Sequence, residues 1–351
     1  MTKNIKIGDR ELFMGAAPFI VAEAGINHNG ELDKAFQMII AAKKAGVDAV
    51  KFQTFKAREF IADEDLSYTY KSQGKEVTES MLKMFERCEF SPSEWHQIKK
   101  KCDEEGITFL STPQNVSDLH LLLELGITAI KVGSDDFTNL PLLKSYCETG
   151  LPLIVSSGMA NLAEIYESLE TIGAFNGYPT ILLQCTSSYP TPPEDVNIKK
   201  MKTLRGAFPN LCLGFSDHTQ GPLASSLAVA MGAVFFEKHF TLSHDLPGPD
   251  HWFSEEPADL AIWAHSIRTA HQMLGSEHVR PTKKEEENKH EYTRSVVAKR
   301  AIEPGELLTE DNMSARRLTG GNGIPVKLLP FLVSRKILAR KRFEKNEAIC
   351  L

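Results

Sequence analysis

His218 and His239 each close a short apolar run, Leu211 to Phe215 and Val234-Phe235-Phe236. Two neutral imidazoles brought together can bind a divalent transition metal and leave its other positions open; a structural pair is the alternative. Lys51 and Lys131 end two more such runs, and Ser134, Ser156 and Ser216 stand at comparable places. Lysines and hydroxyls converging on one spot make a phosphate site, because each ammonium offers three donors and a full charge. Internal ion pairs with Glu23 or Asp136, or a Schiff-base lysine desolvated enough to be nucleophilic, would use the same residues. Glu23, Asp136, Asp217, Glu237 and Asp250 are the candidate acids and bases, where they do not simply orient lysines and histidines. Asn27, Gln53 and Tyr189 suit hydrogen bonds to sugar hydroxyls and amides, or the capping of strand ends.

These residues need strands to hold them. Apolar runs recur at Phe19–Ala22, Ala49-Val50, Phe109-Leu110, Ala129-Ile130, Leu153–Val155, Ile181–Leu183, Leu211–Phe215 and Val234–Phe236. Nearly every one ends in polar residues, as Phe109-Leu110 does in Ser111, Thr112 and Gln114. Between them, helical spacing predicts helices over 32–46, 91–106, 116–126, 140–150, 161–173, 221–232 and 256–275. Several stop on glycine, and Ser91-Pro92 is a good N-cap and first-turn pair. Continuous apolar runs are what parallel strands covered on both faces require. Eight such units in roughly 270 residues, with polar tips at one end, predict a (β/α)8 TIM barrel whose site lies at the C-terminal face. An open doubly wound sheet is the competing architecture.

Composition excludes several classes. The 351 residues are 42% hydrophobic and 25% charged, ordinary for a protein with a large core. A net charge of −6 without a long basic run gives no support to a nucleic-acid partner. No apolar stretch is long enough to span a bilayer, and Met1-Thr2-Lys3-Asn4 lacks a signal-peptide core. Six scattered cysteines without a Cys-x-x-Cys read as reduced residues of a cytoplasmic protein. Lys283 to Glu291 reads as a solvated linker or helix face.

The pattern changes near residue 285. The barrel is expected over 1–284 and a small β-rich domain over 290–351, containing Arg294 to Ala301 and the turn glycines of Gly320-Gly321-Asn322-Gly323. So small a module buries little core alone, and should lean on its own barrel or a neighbouring subunit.

The ordered motifs resemble one family. They are VAEAGINHNG (Val21–Gly30), VKFQT (Val50–Thr54), KVGS (Lys131–Ser134), SSGM (Ser156–Met159), QCTS (Gln184–Ser187) with Tyr189-Pro190, GFSDH (Gly214–His218), EKHF (Glu237–Phe240) and PGPDH (Pro247–His251). Together they are similar to the sialic acid synthases, the N-acetylneuraminate synthase family. The tail, from Arg294–Lys299 through Arg317 to Asn322–Ile324, resembles that family's C-terminal antifreeze-like (SAF) domain.

The resemblance implies that phosphoenolpyruvate adds through C3 to the aldehyde of an open-chain N-acetylated hexose. Water attacks C2, phosphate leaves with C–O cleavage, and a nine-carbon 2-keto acid results. It implies Mn2+ or Mg2+ on His218 and His239, with Glu23 completing or adjoining the site. Lys51, Thr112, Lys131, Ser134, Ser156 and Ser216 would hold phosphoenolpyruvate, and Gln53, Tyr189 and Asp250 the sugar. Glu23, Asp136, Lys51 and Lys131 would carry the chemistry, Asp136 by activating water. Arg317, or Arg316 beside it, would reach the partner's active site in a domain-swapped homodimer. Two departures bear on the sugar: Ser111-Thr-Pro-Gln114 where many members have Phe last, and Arg316-Arg317-Leu318-Thr319 where many have Lys-Arg-Pro-Gly. N-acetylmannosamine is the implied acceptor, and a 2,4-diacetamido-6-deoxyhexose giving a legionaminic-type acid is the alternative. A lysine aldolase of the pyruvate class and a non-catalytic sugar- or ice-binding protein are the rival readings.

Overall fold

The computed structural model describes residues 4–318, 320 and 323–351, so Thr319, Gly321 and Asn322 of the tail motifs lie outside the described residues. Two compact units divide the chain, Met1–Gly275 and Ser276–Leu351.

The first unit is a TIM barrel. Its strands are β1 (Phe19–Gly25), β2 (Ala49–Thr54), β3 (Thr108–Pro113), β4 (Ile130–Val132), β5 (Leu153–Ser156), β6 (Thr180–Cys185), β7 (Cys212–Asp217) and β8 (Ala233–His239). They form one parallel eight-stranded sheet in which β1 pairs with both β2 and β8. β3 and β4 pack side by side where the ladder ends, and the sheet curls closed.

Eight main helices alternate with them: α1 (Leu32–Lys44), α2 (Pro92–Glu105), α3 (Val116–Glu124), α4 (Leu140–Cys147), α5 (Leu162–Ile172), α6 (Lys200–Ala207), α7 (Leu223–Ala230) and α8 (Pro257–Leu274). The sequence signals hold where they were strongest. Ser91 accepts from the Glu94 backbone N–H while the Glu94 carboxylate accepts from that of Ser91, and Gly106 ends the helix in left-handed geometry. Helix α6 was not predicted. It buries only Met201 and Leu204 among lysines, too weak a stripe to register.

Alternation along each strand separates two cores. Ile20, Ala22, Val50, Phe52, Val155 and Phe236 face the helices. Phe19, Val21, Leu110, Ile154, Leu183 and Phe235 fill the barrel interior. A hairpin of Ile5–Ile7 and Arg10–Leu12 adds Ile5, Ile7 and Leu12 to that interior. Gly214 is needed inside because a Cβ would overlap Leu183 Cδ2.

The longest connection, between β2 and α2, carries an antiparallel hairpin (Ser67–Ser72 with Lys75–Ser80) and a short helix, Met81–Glu86. It is pinned to the β1 loop at Gly30, whose φ is +72° and whose Cβ would overlap the Arg87 carbonyl oxygen.

The second unit has α9 (Lys283–Tyr292) and an antiparallel pair, β9 (Ser295–Ala298) with β10 (Met313–Arg316). Val296, Ile302, Leu308, Phe343 and Ile349 form its small core. The unit begins at Ser276, ahead of the expected boundary, and so includes the segment expected as a solvated linker or helix face, which is a helix.

Gly30→Ala should cost about 2 kcal/mol or more, because backbone strain and steric overlap act together. Gly126→Ala has a similar φ (+73°) but open space, and should cost only the strain, about 1 kcal/mol. Urea unfolding of both variants checks this; equal losses would contradict the pinning role of Gly30.

Candidate active site

The inward register that packs the barrel core continues to the strand tips, where it changes from apolar to charged. Above Val21 comes Glu23, above Ala49 come Lys51 and Gln53, above Leu110 comes Thr112, and above Phe235 come Glu237 and His239. Ladder pairing sets Glu23 beside Lys51 on β2 and His239 on β8, and Ser216 beside Glu237. All border one cavity of about 690 Å³ at the C-terminal face.

At its floor, two lysines and two carboxylates are buried together. Lys51 Nζ lies 2.5 Å from Glu23 Oε2 and 3.6 Å from Glu237 Oε2. Lys131 Nζ lies 3.3 Å from Glu237 Oε1, and donates at 2.8 Å to both Ser156 Oγ and the Val132 carbonyl. Burial would raise the Glu237 carboxyl, but Lys131 and Lys51 outweigh it and hold it down at about 2. For Glu23 burial wins over Lys51, with Glu237 adding to the rise, and its pKa reaches about 7. Burial, with Lys51 nearby, lowers Lys131. Burial also opposes the charge on Lys51, but Glu23 and Glu237 outweigh it and raise its pKa. The floor therefore keeps a positive excess whenever Glu23 is protonated.

Beside the lysines is a cradle of hydroxyls. Thr112 Oγ1 lies 3.4 Å from Lys51 Nζ, and Ser134 Oγ accepts from the Gly158 N–H at 3.1 Å. Ser187 Oγ is buried with no hydrogen-bond partner. A Cβ on Gly158 would stand 2.5 Å from Ser187 Oγ and 2.6 Å from Ser134 Oγ, so glycine keeps this space open.

Across the cavity, His218 and His239 lie with ring centroids 5.6 Å apart. His218 Nδ1 sits 2.8 Å from the Thr186 carbonyl oxygen, so Nδ1 carries the proton and Nε2 is left beside Ser216 Oγ at 3.5 Å. His239 Nδ1 is buried without a partner, and burial, reinforced by His218 and Lys51, presses its pKa well down. His239 Nδ1, neutral and without a partner, and His218 Nε2, which meets only the long contact to Ser216, are the kind of donors a divalent first-row cation takes. Burial would lower the His218 pKa, but Cys185 outweighs it and raises that pKa. Among the described residues no third His, Cys, Asp or Glu completes a ligand cluster, which leaves other positions to water or substrate. The Tyr189 ring packs tilted against His218 with centroids 4.1 Å apart, and half-buried Asp250, raised to about 6 by desolvation, lines the same cavity.

The expected residues Glu23, Lys51, Gln53, Thr112, Lys131, Ser134, Ser156, Tyr189, Ser216, His218, His239 and Asp250 all border this cavity. Other candidates differ. Asn27 is not among the lining residues; it is buried and donates from Nδ2 to the Phe240 carbonyl at 2.9 Å and to Ser254 Oγ at 3.0 Å. Asp136 is not among the lining residues; it accepts from Asn139 Nδ2 at 3.1 Å, and Asp135 faces the cavity instead. Asp217 points to the helix layer, where it takes the Ser225 hydroxyl at 2.5 Å and pairs with Lys238 at 3.3 Å. Arg317 belongs to the second unit, exposed and 5.9 Å from the Tyr292 ring centroid, while Arg316 donates to Asn346 Oδ1 at 2.8 Å. Sequence reasoning missed Ser187 as a site residue and missed an apolar wall of Phe60, Met81, Met84 and Phe85. The unusual length of the β2–α2 connection was the available signal for the wall.

A barrel whose mouth sets a buried lysine–carboxylate–hydroxyl floor opposite two histidines defines an enzyme-like site. The chain belongs to the NeuB family, whose model matches residues 38–279. It is 38% identical to an N,N'-diacetyllegionaminic acid synthase of Campylobacter jejuni, over 94% of this chain and 98% of that protein. It is 34% identical to the human N-acetylneuraminate-9-phosphate synthase, covering 91% and 88%. The crystal structure of an N-acetylneuraminic acid synthetase from Leptospira borgpetersenii superposes with a TM-score of 0.73 at 32% identity, covering 82% of this chain and 95% of that one.

Removing the charge that joins both lysines should cost about 3–5 kcal/mol, so Glu237→Gln should unfold at markedly lower urea. Its folded pKa lies below the unfolded value, so its contribution is full above about 4.5 and is lost as pH falls towards 2. Urea unfolding at pH 6 and pH 3 should show the gap between wild type and Glu237→Gln narrowing in acid. A gap independent of pH would contradict the ion-pair assignment.

Proposed function

We propose that this chain condenses phosphoenolpyruvate with an N-acetylated hexose and water, giving a nine-carbon 2-keto acid and phosphate. The observation that carries the reading is one cavity with a buried lysine–hydroxyl pole facing a two-histidine pole. Relatives named as synthases of legionaminic and neuraminic acids support it.

Lys131, Ser134 and Ser156 hold the phosphate, with Lys51, Thr112 and Ser216 around the rest of the enolpyruvate. Gln53, Tyr189 and Asp250 orient the open-chain sugar, N-acetylmannosamine being the simplest acceptor. C3 of phosphoenolpyruvate then forms a bond to the aldehyde carbon, water adds at C2, and the C2–O bond to phosphate breaks. Glu23, with its pKa about 7, takes up the proton that the water releases and returns it to the former aldehyde oxygen, now a hydroxyl. The C2 hydroxyl gives its proton to the departing phosphate as the ketone forms. When bound to His218 and His239, Mn2+ or Mg2+ supplies Lewis-acid polarisation of the aldehyde oxygen. Asp136, tied to Asn139, has no step in this scheme.

The charge of the two units supports a partner arrangement. The second unit holds 16 Lys and Arg against 11 Asp and Glu, while the first holds 24 against 35. Such opposite charge suits a basic tail seated on an acidic barrel, consistent with a domain-swapped homodimer in which an antifreeze-like tail offers Arg317.

One observation favours the aldolase reading: burial lowers the pKa of Lys131, as a Schiff-base lysine needs. Against it, the Glu237 carboxylate 3.3 Å away favours the charged ammonium, and only the neutral amine is nucleophilic. The test is phosphate release from phosphoenolpyruvate with Mn2+ and N-acetylated hexoses. Release should require sugar, stop with EDTA, and fall at least a hundredfold in His218→Ala. A borohydride-trapped pyruvate adduct on Lys131, without phosphate release, would overturn the proposal.

A further inference from the structure

The floor of the cavity is charged, but the wall contributed by the β2–α2 connection is not. Phe60, Met81, Met84 and Phe85 line it there, with Ile26 from the β1 loop. These side chains are held as a rigid body. Phe85 packs edge-on against both Phe55 and Phe60 at 5.1 Å, and Met84 is buried beneath them. Arg87 grips Glu79 through two bonds of 2.6 and 2.8 Å, and Tyr70 OH donates to the same carboxylate at 2.6 Å. Glu89 fixes the start of the connection by accepting from the Ala57 N–H at 2.6 Å.

On the reading proposed above, the aldehyde end of the acceptor lies at His218 and His239. The side of the cavity over Ser134, Ser156 and Ser187 is the anion cradle, so the far end of the sugar runs towards this wall. Gln53 and Asp250 line the same cavity, and the Asp250 carboxylate lies close enough to Tyr68 to add to the rise that burial gives that phenol. Among the described residues, the cations lining the cavity are Lys51, Lys131 and Lys238, all on strand tips and none on the wall. A hydroxyl or phosphate pressed on these side chains would lose water without gaining a partner. A methyl group there gains from leaving water.

We propose that Phe60, Met81, Met84 and Phe85 are specificity-determining residues that select acceptors ending in a C6 methyl group over those ending in hydroxymethyl or phosphate. The inference rests on the synthase reading, and its test separates the two. Three acceptors differing only at C6 are compared with phosphoenolpyruvate and Mn2+: N-acetylmannosamine, its 6-deoxy analogue and its 6-phosphate. The 6-deoxy sugar should have kcat/KM about tenfold above N-acetylmannosamine, equivalent to ~1.4 kcal/mol, and the 6-phosphate should be the poorest. Half-buried Met81→Gln, folded by circular dichroism, should narrow the ratio at least threefold, the change falling on the acceptor rather than on KM for phosphoenolpyruvate. Met84→Gln should do the same, and the milder Met81 variant stands alone if it fails to fold. Equal kcat/KM for the first two sugars, or a ratio unchanged in Met81→Gln, would overturn the wall. If no sugar releases phosphate, the synthase reading fails, and ligand-induced thermal shifts rank the sugars instead. A larger shift with the 6-deoxy sugar would still support the wall, and equal shifts would overturn it.

Discussion

Glu237 is the constraint on which the site depends. Two ammonium groups buried within reach of one carboxylate are tolerable because Glu237 lies between them, 3.3 Å from Lys131 and 3.6 Å from Lys51. Without it, desolvation would drive at least one lysine neutral, and the floor would lose positive charge. Glu23 supplies the second, softer compensation. Its raised pKa lets the net charge of the floor respond to a proton near neutrality, while Glu237 stays ionised throughout.

The fold makes this arrangement economical. One register rule, inward on alternate residues, fills the lower barrel with Phe19, Leu110, Ile154 and Phe235 and then presents Glu23, Thr112, Ser156 and Glu237 above them. The outward residues at the same tips have a different task. Lys238 pairs with Asp217 and Glu255 at 3.3 Å and donates to Gly221 O at 2.9 Å, locking the loops after β7 and β8 that carry His218 and His239. The two histidines and the ion pairs that support them are thus adjacent in sequence.

Much of this was legible in the chain itself. Strands buried on both faces must be continuously apolar, so the runs ending in Lys51, Lys131 and Glu237 announced both the barrel and its working end. What failed did so for physical reasons. Asp136 and Asp217 were candidates because they follow apolar runs. One residue of shift reverses a strand side chain's face, which turns Asp217 outward. Asp136 lies in the turn after β4, where alternation no longer sets the face. Asp135 and Ser216 are the inward neighbours. Helix α6 escaped because two buried residues make no periodicity. The wall of Phe60, Met81, Met84 and Phe85 escaped because its parts meet only after the hairpin folds back, pinned by Gly30 and the Glu79–Arg87 pair.

The most direct test of the central claim is equilibrium binding of radiolabelled phosphoenolpyruvate, without sugar, to wild type and Lys131→Met at matched pH and salt. The expected result is one molecule bound per chain by wild type and a loss of at least a hundredfold in affinity for the variant, with the fold intact by circular dichroism. Binding of equal strength to both proteins would mean that the buried lysine–carboxylate floor is structural, and that the anion is held elsewhere.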